Sequence, residues 1–208
     1  MSDSEIDEAV ANLEVKLNIR NGFFDELLKE DDWSFIIKSH AIVEAAASSL
    51  LTKYVGIETL IEVFARIELS NKSYGKVIFL KHLNLLEKEE RRFLASLSEI
   101  RNKLVHNIKE MEFSLTEYVG GLNIEQKQNF IKSFGYCYLT ENKQGDKIVE
   151  NHEQIISNPK RSIWLSLKYI LAIISIQIDL VEADQKTKKL QDEIYRMEKS
   201  LKESTSKT

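Results

Sequence analysis

Proline and glycine, the residues that most often interrupt regular structure, are scarce in this chain. It has one proline, Pro159, and seven glycines among 208 residues. A fold built from many short strands needs many turns, and turns draw heavily on those two residue types. The scarcity therefore predicts an all-α fold.

Apolar residues recur at three- and four-residue spacing through most of the chain, which is the period of a helix with one buried face. The spacing predicts helices over residues 5–30, 32–55, 56–68, 76–86, 87–107, 123–135 and 159–203. Asp32 is expected to cap the second helix and Gly56 to end it, while Asn158 and Pro159 open the last one. We expect the second helix, the fifth helix and the Pro159 helix to form the core.

Two regions depart from this simple pattern. Within one helical domain over residues 1–183, residues 112–158 are predicted to be an irregular insertion, and "YCYLT", "NKQGD" and "KIVE" are typical of a small hairpin there. Residues 184–208 are expected to form a C-terminal helical arm or tail, either an exposed coiled-coil arm or a frayed end. The arm has apolar residues at a spacing suited to contact with a partner and supports a homodimer: Leu190, Ile194, Met197 and Leu201.

Charge and cysteine content limit the classes of partner and cofactor. The formal net charge is -4 and no helix-turn-helix with a basic recognition helix is evident, which argues against a DNA-binding protein. Cys137 is the only cysteine, so neither an internal disulfide nor a cysteine-based zinc cluster is expected, and a reducing cytoplasmic compartment fits. His82 and His152 have no acidic or thiol partner at metal-ligand spacing, so we expect no metal and no cofactor.

One stretch, residues 163–181, is long enough and apolar enough to suggest a membrane helix. Lys168, Gln177 and Asp179 lie inside it, however, and charged groups at membrane depth are costly. The acidic N-terminus "MSDSEIDEAV" also lacks the pattern of a signal peptide. The sequence therefore favours a central core helix and no membrane partner.

The stretch "EIRNKLVHN" at residues 99–107 places unusual polar side chains in an amphipathic helix. The apolar stripe of this helix consists of Leu94, Leu97, Leu104, Val105 and Ile108. Arg101 lies in the middle of that stripe, while Asn102 and His106, four residues apart, lie on a neighbouring face. A guanidinium does not lose its proton, so a partly buried one needs an acidic partner or an anionic ligand.

Glu44 is the candidate acidic partner of Arg101. It shares a face of the second helix with apolar and small residues, including Ile37, Ala47 and Leu51, and His40 is expected in the core on the same face. We expect the charged groups of Arg101 and Glu44 to lie within hydrogen-bond reach or to bridge through water. From the residues alone, a buried ion pair that only fixes helix register stays open as an alternative.

The motif "IRNKLVH" resembles the signature of the HEPN superfamily, an arginine followed by a polar residue and, four to six positions on, a histidine. Arg101, Asn102 and His106 match this signature, with four residues between the arginine and the histidine. The longer stretch from Phe64 to Asn107 is similar to the mannitol-operon-repressor branch of these proteins. The resemblance implies an all-α fold, a homodimer and, as in many members, a metal-independent ribonuclease. Together with the pattern along the chain, it makes the expected architecture an antiparallel helical bundle with a small irregular insertion and a long C-terminal helix. Residues 112–158 and the C-terminal arm have no counterpart in it.

Two functions follow from the resemblance as expectations. The first is a metal-independent endoribonuclease, a toxin or defence effector that cleaves RNA in a homodimer cleft and has a neutralising or regulatory protein as a further partner. The alternative is a non-catalytic regulator of the mannitol-repressor kind, in which the same helices form a protein-interaction module.

The chemistry expected of the nuclease uses few groups, because RNA carries its own nucleophile, the 2′-hydroxyl. Histidine changes protonation near neutral pH, so His106 is the candidate general acid or base, and Arg101 offers a planar fork of donors to the phosphate oxygens. Asn102 is expected to orient the histidine or the phosphate through hydrogen bonds. One histidine serves poorly as both acid and base, so two copies are expected to share a cleft. The expected basic rim consists of Lys103, Lys109, Arg91 and Arg92.

Overall fold

A computed structural model of the chain describes residues 1–106 and 112–205, with side chains through residue 199. The fold is mostly helical, at 76%, which confirms the predicted all-α class with a small insertion and a long C-terminal helix. The described residues form ten α-helices: α1 (Asp3–Lys16), α2 (Phe23–Glu26), α3 (Asp32–Val55), α4 (Ile61–Arg66), α5 (Lys76–His82), α6 (Lys88–Val105), α7 (Leu115–Gly120), α8 (Ile124–Phe134), α9 (His152–Ser157) and α10 (Pro159–Thr205).

The core lies where α10 packs against α3 and α1, and α6 packs on the other side of α3. Each of these helices contributes fully buried apolar side chains, among them Leu50 and Leu51 of α3, Phe93 and Leu97 of α6, and Leu171 of α10. The three helices predicted to form the core therefore do so. Burial of this apolar surface is the main force that holds the bundle together.

The first predicted helix, over residues 5–30, is wrong as a single element, because the chain breaks after Lys16. Asn18 and Gly22 both adopt left-handed backbone angles, with φ of 53° and 78°, which no helix can pass through. The buried carboxylate of Glu14 accepts the backbone N–H groups of Gly22 and Phe24 at 2.7 Å each and holds the returning chain. Apolar spacing continues across the break, which is why the pattern concealed it.

The ends of α3 are set by two capping residues. Asp31, one residue before the predicted cap, accepts the N–H of Ser34 at 2.8 Å, and Gly56 ends the helix with a left-handed φ of 73°. The third predicted helix begins as a 3-10 turn, Glu58–Leu60, and continues as the short α4. The turn after α4 brings the start of α5 back to the residues that follow α4, because the N–H of Lys76 donates to the carbonyl of Glu68 at 2.9 Å.

The insertion contains the predicted hairpin, in which β1 (Leu139–Glu141) pairs antiparallel with β2 (Lys147–Val149). The predicted helix over residues 123–135 corresponds to α8. Two short helices, α7 and α9, were not predicted within residues 112–158, because six-residue helices show too little periodicity.

The last helix, α10, begins at Pro159 as predicted, and the carbonyl of Asn158 accepts the N–H of Ser162 at 3.1 Å. It continues without a break from the bundle into the arm. Both α3 and α10 contain a stretch that is long and apolar enough to cross a membrane by length and composition alone. In this fold both stretches supply core residues, such as Val43 and Ile174, so their length and composition are weak evidence for a helix that crosses a membrane.

Candidate functional site

Helix α6 carries the predicted site residues at its C-terminal end. Arg101 is half-buried, whereas Asn102 is exposed and His106 caps the helix end at the surface. Leu94, Leu97 and Leu104 of the predicted stripe are buried, but Val105 is 41% exposed. The remaining member of the stripe, Ile108, lies outside the described residues.

Arg101, Asn102 and His106 line one open cavity of about 330 Å³. The other walls come from α3 and from the end of α4 with the segment that follows it. The other lining residues are His40, Glu44, Arg66, Ile67, Glu68, Leu69, Ser70 and, on α6, Ser98. The structure therefore brings the predicted catalytic residues and Glu44 to the same cavity.

Arg101 meets no carboxylate among the described residues. Its Nη1 donates a hydrogen bond to the amide oxygen of Asn102 at 3.0 Å, and no described acidic oxygen lies within 4.0 Å of the guanidinium. The exposed Arg66 likewise has no described carboxylate oxygen within 4.0 Å of its guanidinium. Two guanidinium groups at one cavity therefore keep their charge available to an anionic ligand.

Glu44 instead pairs with Lys76, whose Nζ lies 3.1 Å from the carboxylate. The prediction of a direct contact between Glu44 and Arg101 is therefore wrong, because Lys76, and not Arg101, forms the ion pair with the Glu44 carboxylate. Whether Arg101 and Glu44 bridge through water stays a prediction. The Lys76 side chain is fully buried, and burial lowers the pKa of its ammonium while the Glu44 carboxylate acts against that shift.

His40 lies beneath the cavity as a buried neutral imidazole. The hydroxyl of Ser98 donates to the carbonyl of Leu94, so it accepts from His40, and this assigns the imidazole proton to Nε2, 3.2 Å away. Nδ1 then faces the Glu44 carboxylate at 3.8 Å. The pKa of His40 is lowered to about 4, chiefly by burial; the Glu44 carboxylate acts against that shift, whereas the charges of Arg101 and Lys76 add to it.

The structure separates the expected basic rim from this cavity. Lys103 lies on another side of α6, 3.4 Å from the hydroxyl of Tyr118, because two residues turn a helix by about 200°. Arg91 donates to the backbone carbonyl of Leu86, and Arg92 lines a different cavity near the hairpin. Lys109 lies outside the described residues.

Three residues at the site were not identified from the sequence: Arg66, Lys76 and Ser98. Arg66 and Lys76 flank the "SNKSYG" turn, and their proximity to α6 depends on how that turn folds back. A lysine directly after a glycine at the start of an apolar helix is the only local signal for Lys76. Ser98 is four residues from Leu94 on the buried face of α6, where a hydroxyl needs a partner.

Metal ligands are not gathered anywhere in the described part of the chain: no group of three or more His, Cys, Asp or Glu side chains there is placed to hold an ion. The cavity at Arg101 offers guanidinium, amide and imidazole groups, which suit an anion, beside the carboxylates of Glu68 and of Glu44, the latter paired with Lys76.

Comparison with known proteins adds no relative, because no family model, curated protein or solved structure matches this chain. The likeness to the HEPN superfamily therefore depends on the residues of the α6 motif and of the stretch from Phe64 to Asn107.

Proposed function

We propose that the protein is a metal-independent endoribonuclease of the HEPN type and that Arg101, Asn102 and His106 are its catalytic residues. One observation carries the proposal: Arg101 is a half-buried residue whose guanidinium lines an open cavity beside an exposed imidazole and has no described carboxylate to neutralise it. An arginine that served only to fix helix register would be expected to have such a partner.

The reaction proposed for this cavity is attack of a ribose 2′-hydroxyl on the adjacent phosphate. The hydroxyl proton passes to a base, the new oxygen–phosphorus bond forms, and the 5′-oxygen leaves with a proton from an acid. The products are a 2′,3′-cyclic phosphate and a 5′-hydroxyl end. Arg101 donates to the non-bridging oxygens, whose charge grows in the transition state, and His106 transfers a proton.

The other residues at the cavity support these roles. The Asn102 amide oxygen accepts from Arg101 Nη1 and so fixes the plane of the guanidinium. Arg66, on the opposite wall, adds a second cation for the RNA backbone. His40 is buried and neutral, so it is poorly placed to exchange protons with a substrate.

A homodimer is part of the proposal, since His106 is the one exposed histidine that lines this cavity. A second copy across a two-fold axis would supply the second proton-transfer group. In this reading the protein is a cytoplasmic toxin or defence effector, and a neutralising or regulatory protein would act by covering the cavity.

The test is incubation of purified protein with labelled RNA and with a DNA of the same sequence, both in excess chelator. We expect RNA to be cleaved with 2′,3′-cyclic phosphate ends and DNA to survive, because DNA lacks the nucleophile. Arg101→Ala is the matched inactive variant, which controls for contaminating nucleases. Survival of RNA with the wild-type protein under all metal conditions would refute the proposal.

A second candidate, the non-catalytic interaction module, is favoured by a different observation. Three apolar side chains in one short segment, Ile57, Ile61 and Val63, are 51%, 39% and 52% exposed. If these side chains form one contiguous patch, that patch would suit a protein partner, since contiguous apolar patches mark interaction sites and scattered apolar residues do not. This reading predicts that His106→Ala behaves like wild type in cells, whereas a paired Ile57→Glu and Val63→Glu variant loses function.

A further inference from the structure

The C-terminal part of α10 leaves the bundle as a solvated helix. Its last contacts with α3 are an ion pair between Glu182 and Lys53 at 3.1 Å and a hydrogen bond from Gln185 to the Lys53 carbonyl at 2.5 Å. Every side chain from residue 186 to residue 199 is exposed. A helix of this length is only marginally stable in water by itself, so a partner that covered its apolar face would stabilise the arm.

The arm carries apolar and small residues in alternating steps of three and four, which is the pattern of a coiled coil. These core positions are Leu180, Ala183, Thr187, Leu190 and Ile194. Leu180, Leu190 and Ile194 are 53%, 51% and 57% exposed. Glu182 and Gln185, which contact α3, occupy positions outside this stripe, so α3 leaves the stripe open.

We propose that the arms of two copies of this chain pair as an antiparallel two-stranded coiled coil, with Thr187 opposite the partner's Leu190. The same register sets Ala183 opposite the partner's Ile194. Each small side chain thus faces a large one, which fills the seam evenly. The two-fold axis repeats both pairs.

The charges beside the seam select this direction and register. A parallel pair in register would place Glu193 beside the partner's Glu198, two like charges. In the proposed antiparallel register, Lys186 lies beside the partner's Glu193, and symmetry gives this pair twice. A shift of the register by one heptad in one direction would place Lys186 beside the partner's Lys186. A shift in the other direction would place Glu193 beside the partner's Glu193.

This charge pattern identifies a second copy as the occupant. Lys186 and Glu193 are complementary to each other on one arm, so the surface is complementary to itself. The inference deepens the homodimer of the proposed function and leaves its chemistry aside, because neither Lys186 nor Glu193 lines the cavity at Arg101. RNA cleavage by a protein whose arms do not pair would overturn this inference and leave the proposed chemistry standing.

Substitutions that exchange the charges of Lys186 and Glu193 test the pairing, with the molecular mass of the protein in solution as the measurement. By sedimentation at micromolar concentration and low salt, we expect the wild type to be a dimer and Lys186→Glu or Glu193→Lys alone to be largely monomeric. The double variant carrying both changes restores the complementary pair and should restore the dimer. Lys188→Glu, on the same arm but outside the seam, is the control and should remain a dimer.

Disulfide formation tests the direction. In a Cys137→Ser background, Thr187→Cys and Leu190→Cys should each crosslink poorly alone and efficiently when mixed, because 187 faces 190. A parallel coil would instead crosslink each variant with itself. A monomeric wild type, self-crosslinking of the separate variants, or failure of the double charge exchange to restore the dimer would overturn the inference.

Discussion

The ammonium of Lys76 lies 3.1 Å from the carboxylate of Glu44, and the lysine side chain is fully buried. This pair leaves the nearby guanidinium of Arg101, which lines the same cavity as Glu44, without a described carboxylate partner. The Lys76 ammonium is therefore neutralised inside the protein, whereas the Arg101 guanidinium stays available to a ligand that enters the cavity. Several expectations depend on that difference.

Replacement of Lys76 by methionine should free Glu44 to approach Arg101. The change removes only one partner of the ion pair and leaves the Glu44 carboxylate uncompensated, so we expect a loss of stability, which the partial exposure of Glu44 and its approach to Arg101 limit. RNA affinity should fall about tenfold, the scale of one charge-assisted hydrogen bond. Binding of a non-cleavable RNA, followed by fluorescence anisotropy, measures this.

The exposed Lys81, on the same helix as Lys76, provides the matched control. Lys81→Met removes the same charge from α5 without releasing Glu44, so affinity should change little. Equal losses in the two variants would mean that Lys76 acts only through net charge.

His106→Ala should remove roughly two to four orders of magnitude in cleavage rate, the range of general acid–base catalysis. Arg101→Lys should also be severely impaired, because a point charge does not replace the planar fork. Neither Arg101→Ala nor His106→Ala should lower the melting temperature by much, since Glu44 keeps Lys76 as its partner. Single-turnover rates beside thermal melts test both statements, and a large fall in melting temperature for Arg101→Ala would contradict the assigned pairing.

Arg66→Ala should weaken RNA binding more than the chemical step. Arg66 lines the cavity opposite Arg101 but is exposed, so we expect it to contact the RNA backbone and to raise KM by about tenfold while kcat changes little. The exposed Arg161, at the start of α10, supplies a control of equal charge. A fall in kcat with unchanged KM would assign Arg66 to the transition state instead.

The regular parts of the fold were predictable because their signals are local. The long apolar period of α3, its glycine end at Gly56 and the proline start of α10 each depend on a few neighbouring residues. The break after Lys16 was not predictable in the same way, because it depends on hydrogen bonds from the backbone of Gly22 and Phe24 to the side chain of Glu14, which helical periodicity does not describe.

The sequence predicted which residues line the cavity better than it predicted which of them form an ion pair. Helical spacing placed Arg101 on the inward side of α6 and Glu44 on α3, and both line the cavity. The choice between Arg101 and Lys76 as the partner of Glu44 depends on the turn before α5, which no periodicity describes. Lys103 was misplaced because the rim was inferred from proximity in sequence rather than from the helical angle.

Stability should fall as the pH drops from about 6.5 toward 4 through protonation of His40. The pKa of His40 in the folded state is about 4, below the ordinary value of 6.5, so the unfolded chain binds the proton first. The penalty is absent at neutral pH and complete below the folded pKa, with an upper bound on the order of 3 kcal/mol by linkage.

Denaturant unfolding of the wild type and of His40→Gln across this pH range isolates the contribution of His40. The glutamine amide can still donate to Ser98, and the pH dependence of its unfolding free energy should be shallower. His82→Gln, at an exposed position, should keep the slope of the wild type. Superimposable profiles for all three proteins would show that His40 is already protonated or is not buried.

The turn that places Lys76 is sensitive to a single methyl group at Gly75. A Cβ atom there would lie 2.4 Å from the backbone nitrogen and 2.6 Å from the backbone oxygen of Asn71, so the turn must open to accept it. We expect Gly75→Ala to cost about 1–3 kcal/mol, the usual range for overpacking, and to reduce RNA cleavage because Lys76 moves away from Glu44. Gly120→Ala, where no atom lies within 4 Å of the added carbon, should be neutral or slightly stabilising. Chemical denaturation and cleavage rates for both variants test the argument, and a Gly75→Ala protein with unchanged stability would show that the turn does not hold Lys76 in place.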